Sequence, residues 1–127
     1  MITYGFKKML AEANAIVETL SAQDALKLVN DPMVLFVDVR ETAERELSGT
    51  IPGAVHASRG FLEFIADPEG PMHDQAFQSG RRLVLFCASG GRSVLAAKTL
   101  MDMGFTDVAH IAGGFPAWKE AGGPTED

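Results

Sequence analysis

The sequence has few of the residues on which several common kinds of site depend. Its 127 residues include a single cysteine, Cys87, so neither an intramolecular disulfide nor a cysteine-based zinc cluster can form. The three histidines, His56, His73 and His110, show no metal-ligand spacing, which favours structural or surface roles for all three. We therefore expect no metal and no bound cofactor.

Long apolar runs and an excess of positive charge are also lacking. The longest apolar run, residues 83–88, is far shorter than the roughly 20 residues that cross a bilayer. Residues 1–8 contain no apolar segment behind a basic one, so no signal peptide is expected, and the free thiol then favours the cytoplasm. Acidic residues outnumber basic ones by 17 to 11, so neither nucleic acid nor an anionic membrane surface is an expected partner.

The residues that are present can build one domain with a sizeable core. With 46% hydrophobic and 22% charged residues, the chain is expected to fold as a single domain over residues 1–127. The pattern predicts strands near 33–39, 54–57, 83–87 and 108–111. It predicts helices near 6–20, 21–29, 41–47, 61–65, 73–78, 93–103 and 116–121, with 18–20 as an alternative short strand. This alternation predicts an α/β fold with a mostly parallel sheet covered on both faces.

One segment carries the residue types of a catalytic loop. Cys87 ends a predicted buried strand, at the sheet edge where ligands of parallel sheets bind, and a predicted helix follows. Two adjacent glycines allow backbone N–H groups to turn towards an anion, while the helix N-terminus and Arg92 add positive charge. All of these effects favour the thiolate form of cysteine. The candidate loop consists of Cys87, Ala88, Ser89, Gly90, Gly91, Arg92 and Ser93.

Several of these residues also have plainer interpretations. A lone cysteine is more commonly a small buried apolar residue, but the loop context of Cys87 and its spacing to Arg92 favour a nucleophile. Arg59, which follows a predicted strand, either lines the same pocket or is a solvated surface arginine. Arg40 is expected to form structural ion pairs with nearby carboxylates, and Trp118 to anchor the last helix in the core.

Four short motifs occur in an order that is characteristic of one protein family. Asp38-Val39-Arg40-Glu41 follows the first long strand, and residues 49–54 read Gly-Thr-Ile-Pro-Gly-Ala. Residues 87–93 form the cysteine loop, and a Gly-Gly-x-x-x-Trp element occupies residues 113–118. Together they resemble the motifs of single-domain rhodaneses, which are sulfurtransferases. The likeness extends over about residues 18–123 and leaves a predicted N-terminal helix, residues 3–17, as an extension.

The resemblance implies both a fold and a two-step reaction. The fold would be a rhodanese-like parallel sheet of about five strands with helices on both faces. The Cys87 thiolate would take sulfur from a small anionic donor such as thiosulfate, giving a covalent persulfide as the only carrier. The persulfide would then pass its sulfur to cyanide, a small thiol or a protein. Loop amides from Ala88 to Ser93 would hold the persulfide, and Arg92 would dock the donor anion.

The sequence departs from the family pattern at two positions. Thr50 stands where the family commonly has histidine, in a turn that we expect to serve the scaffold rather than the chemistry. Ala88 follows the cysteine directly, where some rhodaneses carry a basic residue. The pocket mouth therefore has one positive charge fewer, which leaves open whether thiosulfate is the physiological donor.

Two other functions remain as alternatives. Cysteine phosphatases of the cell-cycle type share this fold but use a Cys-x5-Arg loop, whereas Arg92 follows Cys87 in a Cys-x4-Arg spacing. The shorter loop makes a smaller cradle, which suits a sulfur atom better than a phosphoryl group. The third alternative is a non-catalytic rhodanese-like module that binds a partner protein, and the retained Cys87 and Arg92 argue against it.

Overall fold

A five-stranded parallel sheet runs through the middle of the protein, which is described over residues 1–127 by a computed structural model. The strands are β1 (Glu18–Leu20), β2 (Val34–Asp38), β3 (Val55–His56), β4 (Arg82–Phe86) and β5 (Val108–Ile111). Their order across the sheet is β1-β5-β4-β2-β3, and every neighbouring pair is parallel. The predicted α/β fold with about five parallel strands is confirmed.

Six α-helices cover the two faces of this sheet. They are α1 (Phe6–Ile16), α2 (Ala22–Leu26), α3 (Thr42–Ser48), α4 (Leu62–Ala66), α5 (Gly91–Asp102) and α6 (Gly114–Glu120), with 3-10 turns at Arg59–Phe61 and Gln75–Gln78. Buried side chains of α1, α4 and α5 pack into one core cluster, and those of α2 and α6 pack into the other. None of the helices is both long and apolar enough to cross a membrane.

The first helix is shorter than its apolar periodicity predicts. It ends at Ile16, and Glu18–Leu20 form the edge strand β1, which sets Thr19 opposite His110 of β5. The predicted helix was too long because the apolar pattern of residues 17–20 fits a short strand as well as a helix. Pairing with β5 selects the strand. The alternative strand at 18–20 is therefore correct. The next helix begins as predicted, since the Ser21 hydroxyl accepts a hydrogen bond from the Asp24 N–H at 3.0 Å.

Helices α5 and α6 each begin earlier than predicted, at the second glycine of a Gly-Gly pair. Gly90 and Gly113 have φ angles of +111° and +74°, in the left-handed region, and each directly precedes its helix. A glycine adopts this conformation without the steric cost that a side chain would bring. The sharp turn lets the following residue enter the helix at once. Both helix N-termini are thereby drawn close to the sheet edge.

The central strand β4 is buried on both faces and leads directly to Cys87. Leu83 and Leu85 belong to the core cluster under α1, α4 and α5, whereas Val84 and Phe86 belong to the cluster under α2 and α6. Because side chains alternate along a strand, the next residue returns to the first cluster. Cys87 lies there, just beyond the carboxyl end of β4.

A buried ion pair fixes the chain that follows β2. The Arg40 guanidinium lies 2.8 Å from the Asp38 carboxylate, with side-chain exposures of 3% and 0%. The same guanidinium stacks over the Phe115 ring at 4.4 Å, which ties this segment to α6. The Thr50 hydroxyl donates to Asp38 at 2.9 Å. The structural ion pair predicted for Arg40 is confirmed, and Thr50 belongs to the scaffold as expected.

Candidate active site

The Cys87 sulfur sits inside a turn made by the loop that follows it. The N–H groups of Gly90 and Ser93 point at Sγ over distances of 3.1 and 3.4 Å, and the Ser93 hydroxyl lies 3.5 Å away. The left-handed Gly90 makes this turn possible by reversing the chain before α5. Cys87 itself is fully buried. The loop therefore surrounds the sulfur with hydrogen-bond donors at the N-terminus of a helix.

The surroundings of Cys87 act on its acidity in two opposite ways. Burial raises the pKa of the thiol, because it penalises the charged form. Hydrogen bonds from the Ser93 side chain and from the N–H groups of Ser93, Gly90 and Ser89 lower it, and together they outweigh burial. The pKa of Cys87 consequently lies below its ordinary value. A larger share of the sulfur is thiolate near neutral pH, which is the form that acts as a nucleophile.

The turn between β5 and α6 supports the cysteine loop from the other side. The Phe115 N–H donates to the Cys87 carbonyl oxygen at 2.8 Å. Gly114 lies so close that a Cβ placed on it would come within 2.2 Å of the same carbonyl oxygen. Only glycine fits there without displacing the backbone. The Gly-Gly-x-x-x-Trp element thus braces the Cys87 peptide, while Trp118 is fully buried in the core as predicted.

Arg92 is engaged by a carboxylate that the sequence interpretation did not assign to it. Its guanidinium forms a two-pronged ion pair with Glu44 of α3, with N–O distances of 2.6 and 2.9 Å. The hydrogen bond from Arg92 lowers the pKa of Glu44 to about 2, although partial burial opposes this. The pairing in turn raises the pKa of Arg92 above its ordinary value. Much of the positive charge of Arg92 is therefore balanced before any donor anion arrives.

A cleft of about 440 Å³ opens beside the loop, next to Ala88. Most of its lining is apolar, and the side chain of Leu47 projects into solvent with 90% of its surface exposed. The ammonium group of Lys119 lies 5.7 Å from the centre of the Phe115 ring and forms no ion pair. The cleft can hold a small organic molecule with an apolar part and a negative charge. Its lining residues are Arg40, Glu44, Leu47, Ser48, Ala88, Phe115, Pro116 and Lys119.

His110 is the polar residue near Cys87 that the sequence interpretation missed. It is 3% exposed, and its Nδ1 lies 2.9 Å from the Ser93 hydroxyl, which in turn lies 3.5 Å from the Cys87 sulfur. Its Nε2 lies 3.2 Å from the Thr19 hydroxyl. One signal was available, because a histidine inside the apolar strand Val108–Ile111 must find polar partners when buried.

The remaining predicted residues lie where they serve other contacts. Arg59 reaches Glu63 at 3.2 Å and the Thr99 hydroxyl at 3.1 Å, and it makes no contact with the Cys87 loop. The structure therefore does not bring Arg59 to this site, because its guanidinium is paired with the carboxylate of Glu63, one helical turn along the chain. No group of three or more His, Cys, Asp or Glu side chains is placed to hold a metal ion.

Comparison with known protein families and solved structures agrees with this geometry. A family model described as the rhodanese-like domain matches residues 21–121. A protein of unknown function from Rhodopseudomonas palustris, described as a possible tyrosine phosphatase, superposes with a TM-score of 0.94 at 49% identity over 99% of this chain and 97% of that one. The polysulfide-sulfur transferase homodimer of Wolinella succinogenes superposes with a TM-score of 0.72 at 34% identity, over 96% of this chain and 87% of that one.

Two curated relatives differ in how much of their length this chain spans. Thiosulfate sulfurtransferase 16 of Arabidopsis thaliana, a chloroplastic protein, is 34% identical over 72% of this chain and 78% of its own. The tRNA uridine(34) hydroxylase of Mesorhizobium japonicum is 35% identical over 73% of this chain but only 29% of its own. The chain thus spans about a third of the length of the tRNA hydroxylases that it matches.

Proposed function

The chain belongs to the rhodanese-like family, and from this premise we propose that it is a sulfurtransferase that carries sulfur on Cys87 as a persulfide. The observation that supports this most strongly is the pair of N–H donors, from Gly90 and Ser93, directed at Sγ. Such donors stabilise a sulfur anion in place, without the need to reorganise solvent. The sulfurtransferases among its relatives support the same reaction class.

In the first step, the Cys87 thiolate attacks the outer sulfur of a donor such as thiosulfate. A new S–S bond forms on Cys87, the S–S bond of the donor breaks, and sulfite leaves with the bonding electron pair. In the second step, cyanide or a thiolate attacks the outer sulfur of the persulfide, and Cys87 leaves as the thiolate. No oxidant or reductant is consumed. The loop N–H groups bind the anionic sulfur in both resting forms, and the two half-reactions give ping-pong kinetics.

The cleft beside Ala88 bears on the choice of donor. Thiosulfate is a small dianion, whereas most of the cleft surface is apolar. The arginine in its lining, Arg40, is paired with Asp38, and Arg92 of the cysteine loop is paired with Glu44. A donor with an apolar group gains by covering Leu47, Phe115 and Pro116, and a single negative charge suits Lys119. We therefore infer that small organic sulfur donors, such as aryl thiosulfonates or organic persulfides, are used with a lower KM than thiosulfate.

Replacing Glu44 by glutamine should improve the use of thiosulfate. The change leaves Arg92 with an unbalanced charge, and glutamine keeps the oxygen that accepts the Glu41 N–H at the start of α3. We expect kcat/KM for thiosulfate to rise about three- to tenfold, the effect of one nearby charge on a dianion at a partly exposed site. Steady-state assays with thiosulfate and with benzenethiosulfonate, a monoanion, check this, because the rise should be smaller for the monoanion.

Glu46→Gln is the matched control for that prediction. It changes the net charge of the same helix equally, but Glu46 forms no ion pair with Arg92. Its kcat/KM for thiosulfate should stay within about twofold of the wild type, since screened surface charges contribute little. Equal effects of the two variants would contradict a specific role for the Glu44–Arg92 pair.

Phosphoryl transfer is the second candidate, because one solved relative is described as a possible tyrosine phosphatase. Two observations favour sulfur transfer over it. Arg92, which would have to bind the phosphoryl oxygens, is held by Glu44. A leaving phenolate also needs a protonated acid, and Glu44, with a pKa of about 2, is ionised at neutral pH. The shorter Cys-x4-Arg loop points the same way.

A paired assay separates the two activities. We expect the protein to form thiocyanate from cyanide with thiosulfate or benzenethiosulfonate as donor, and to release no detectable phenolate from p-nitrophenyl phosphate. Both activities would be measured on one preparation, with Cys87→Ser as the blank for each. Phosphate release without thiocyanate would replace the proposal by a phosphatase. Inactivity in both assays would favour the binding module.

A further inference from the structure

A chain of polar side chains leads away from the sulfur of Cys87, and the sulfur-transfer steps give it no role. Its two members nearest the sulfur are buried, and its far end, Thr19, is exposed. Its members are Ser93 of α5, His110 of β5 and Thr19 of β1. Successive polar atoms along it are separated by 3.5 Å (Cys87 to Ser93), 2.9 Å (Ser93 to His110) and 3.2 Å (His110 to Thr19). The hydrogen bonds thus form one continuous path from Cys87 through helix α5 and strand β5 to strand β1.

The Ser93 hydroxyl has more acceptors around it than it has protons. It lies 3.5 Å from the Cys87 sulfur, 3.2 Å from the Gly90 carbonyl oxygen and 2.9 Å from His110 Nδ1. A hydroxyl has a single proton to donate. If His110 Nδ1 accepts that proton, the sulfur loses one of its donors. If Nδ1 carries its own proton, it donates to the Ser93 oxygen instead, and the hydroxyl can donate to the sulfur or to the Gly90 carbonyl oxygen. A charged thiolate is the stronger of these two acceptors.

The tautomer of His110 therefore decides where the Ser93 proton points. Burial lowers the pKa of His110, so its ring is neutral and carries one proton. The Thr19 hydroxyl at Nε2 can donate to that nitrogen, which leaves the ring proton on Nδ1. In this arrangement every hydrogen bond in the chain points towards Cys87. The opposite tautomer would direct the Ser93 proton away from the sulfur.

The charged groups around this chain are few. Strand β1 contributes Thr19 and helix α1 contributes Leu10 and Asn14 to a cavity of about 290 Å³ beside His110, and none of these side chains is charged. Helix α5 contributes Ser93 and Val94 on this side, and the loop after β5 contributes Ala112 and Gly113. Near Cys87, Arg92 interacts electrostatically with the sulfur and is itself paired with Glu44.

We propose that the Thr19–His110–Ser93 chain is a positioning relay that directs the Ser93 hydroxyl proton to the Cys87 sulfur and so stabilises its anionic form. The statement applies to the thiolate, and its extension to the persulfide rests on the proposed function. His110 acts through Ser93 and touches neither sulfur nor substrate, so it is a positioning residue. The proton on Ser93 stays on Ser93, and no bond to sulfur is made or broken by the relay.

The pKa of Cys87 can be measured without any sulfur donor, from the ultraviolet absorbance of the thiolate as a function of pH. Cys87 is the only cysteine, so Cys87→Ser supplies the complete blank. We expect Ser93→Ala to raise the pKa by about one unit, which is a tenfold smaller thiolate fraction at acidic to neutral pH. His110→Phe should raise it by about half a unit to one unit. The double variant should show no larger rise than Ser93→Ala alone.

The conservative variant His110→Asn distinguishes the relay from simple packing. Its amide can donate to Ser93 from near the Nδ1 position, so it should recover at least half of the shift caused by His110→Phe. Thr19→Val keeps the shape of the chain and should give a smaller rise in the pKa. Because these two variants disturb the core less, they keep the test open if His110→Phe fails to fold.

The relay is overturned if the Ser93 and His110 effects add in the double variant, or if removing the imidazole leaves the pKa of Cys87 unchanged. It is also overturned if His110→Asn behaves like His110→Phe, since packing alone would then explain the loss. These outcomes are independent of sulfur transfer. A protein that shows the relay but forms no persulfide would retain this inference and lose the proposed function.

Discussion

Cys87→Ser is expected to abolish sulfur transfer, with kcat/KM falling at least about a thousandfold, because serine at this position cannot form an anionic nucleophile near neutral pH. The fold should survive the change. A serine oxygen can still accept the N–H groups of Gly90 and Ser93 that now point at Sγ, so we expect a stability loss within about 2 kcal/mol. Steady-state cyanolysis and thermal unfolding of the same preparation measure both quantities.

Residual activity would be informative because the chain offers no substitute thiol. Cys87 is the only cysteine, so any persulfide-dependent turnover in Cys87→Ser would have to come from a different mechanism. Activity above a few per cent of the wild type, with the fold intact, would contradict the assignment of Cys87 as sulfur carrier. Loss of both activity and fold would show instead that the thiol is needed for packing.

Gly114→Ala is expected to be among the most destabilising single substitutions, at roughly 3 to 5 kcal/mol. Two costs combine at this position. Its φ of +62° lies in the left-handed region, which costs a side-chain-bearing residue about 1–2 kcal/mol. The added Cβ would also meet the Cys87 carbonyl oxygen at 2.2 Å and the Ala88 carbonyl carbon at 2.7 Å. Denaturant unfolding gives the change in the free energy of unfolding.

Gly53→Ala separates the two costs. Gly53 has a φ of +80°, but a Cβ there would meet no atom within 4 Å. The backbone strain is thus present without the clash, and we expect a loss of only about 1 kcal/mol. Similar losses for Gly53→Ala and Gly114→Ala would contradict the close packing of the β5–α6 turn against the cysteine loop. A soluble Gly114→Ala protein should also lose sulfur transfer, because the Cys87 peptide must move.

The sequence was sufficient to predict strands β2, β4 and β5 and the place of Cys87 at the end of β4, because these depend on local patterns. Apolar runs located β2, β4 and β5 to within two residues, since strands buried on both faces are continuously apolar. The loop after β4 was predictable because Gly90, Gly91 and the start of α5 adjoin Cys87 in the chain. Its N–H groups could be expected to converge before any distance was known.

The side-chain partners around the site could not be predicted, because they come from distant parts of the chain. Glu44 is 48 positions from Arg92, and nothing in the Glu41–Glu46 charge run distinguishes Glu44 as its partner. His110 is 91 positions from Thr19, and their contact depends on β1 joining the sheet next to β5. That pairing was itself hidden, since residues 18–20 continue the helical pattern of α1. Tertiary packing therefore determines that Glu44 pairs with Arg92 and that His110 lies next to the Ser93 hydroxyl.

The most direct test of the account is the intact mass of the protein after incubation with thiosulfate or benzenethiosulfonate. Wild-type protein should gain the mass of one sulfur atom, and cyanide should remove it, because Cys87 carries the sulfur as a persulfide. Cys87→Ser should gain nothing under the same conditions. A wild type that takes up no sulfur from either donor, or an undiminished gain in Cys87→Ser, would contradict the claim that this protein transfers sulfur through Cys87.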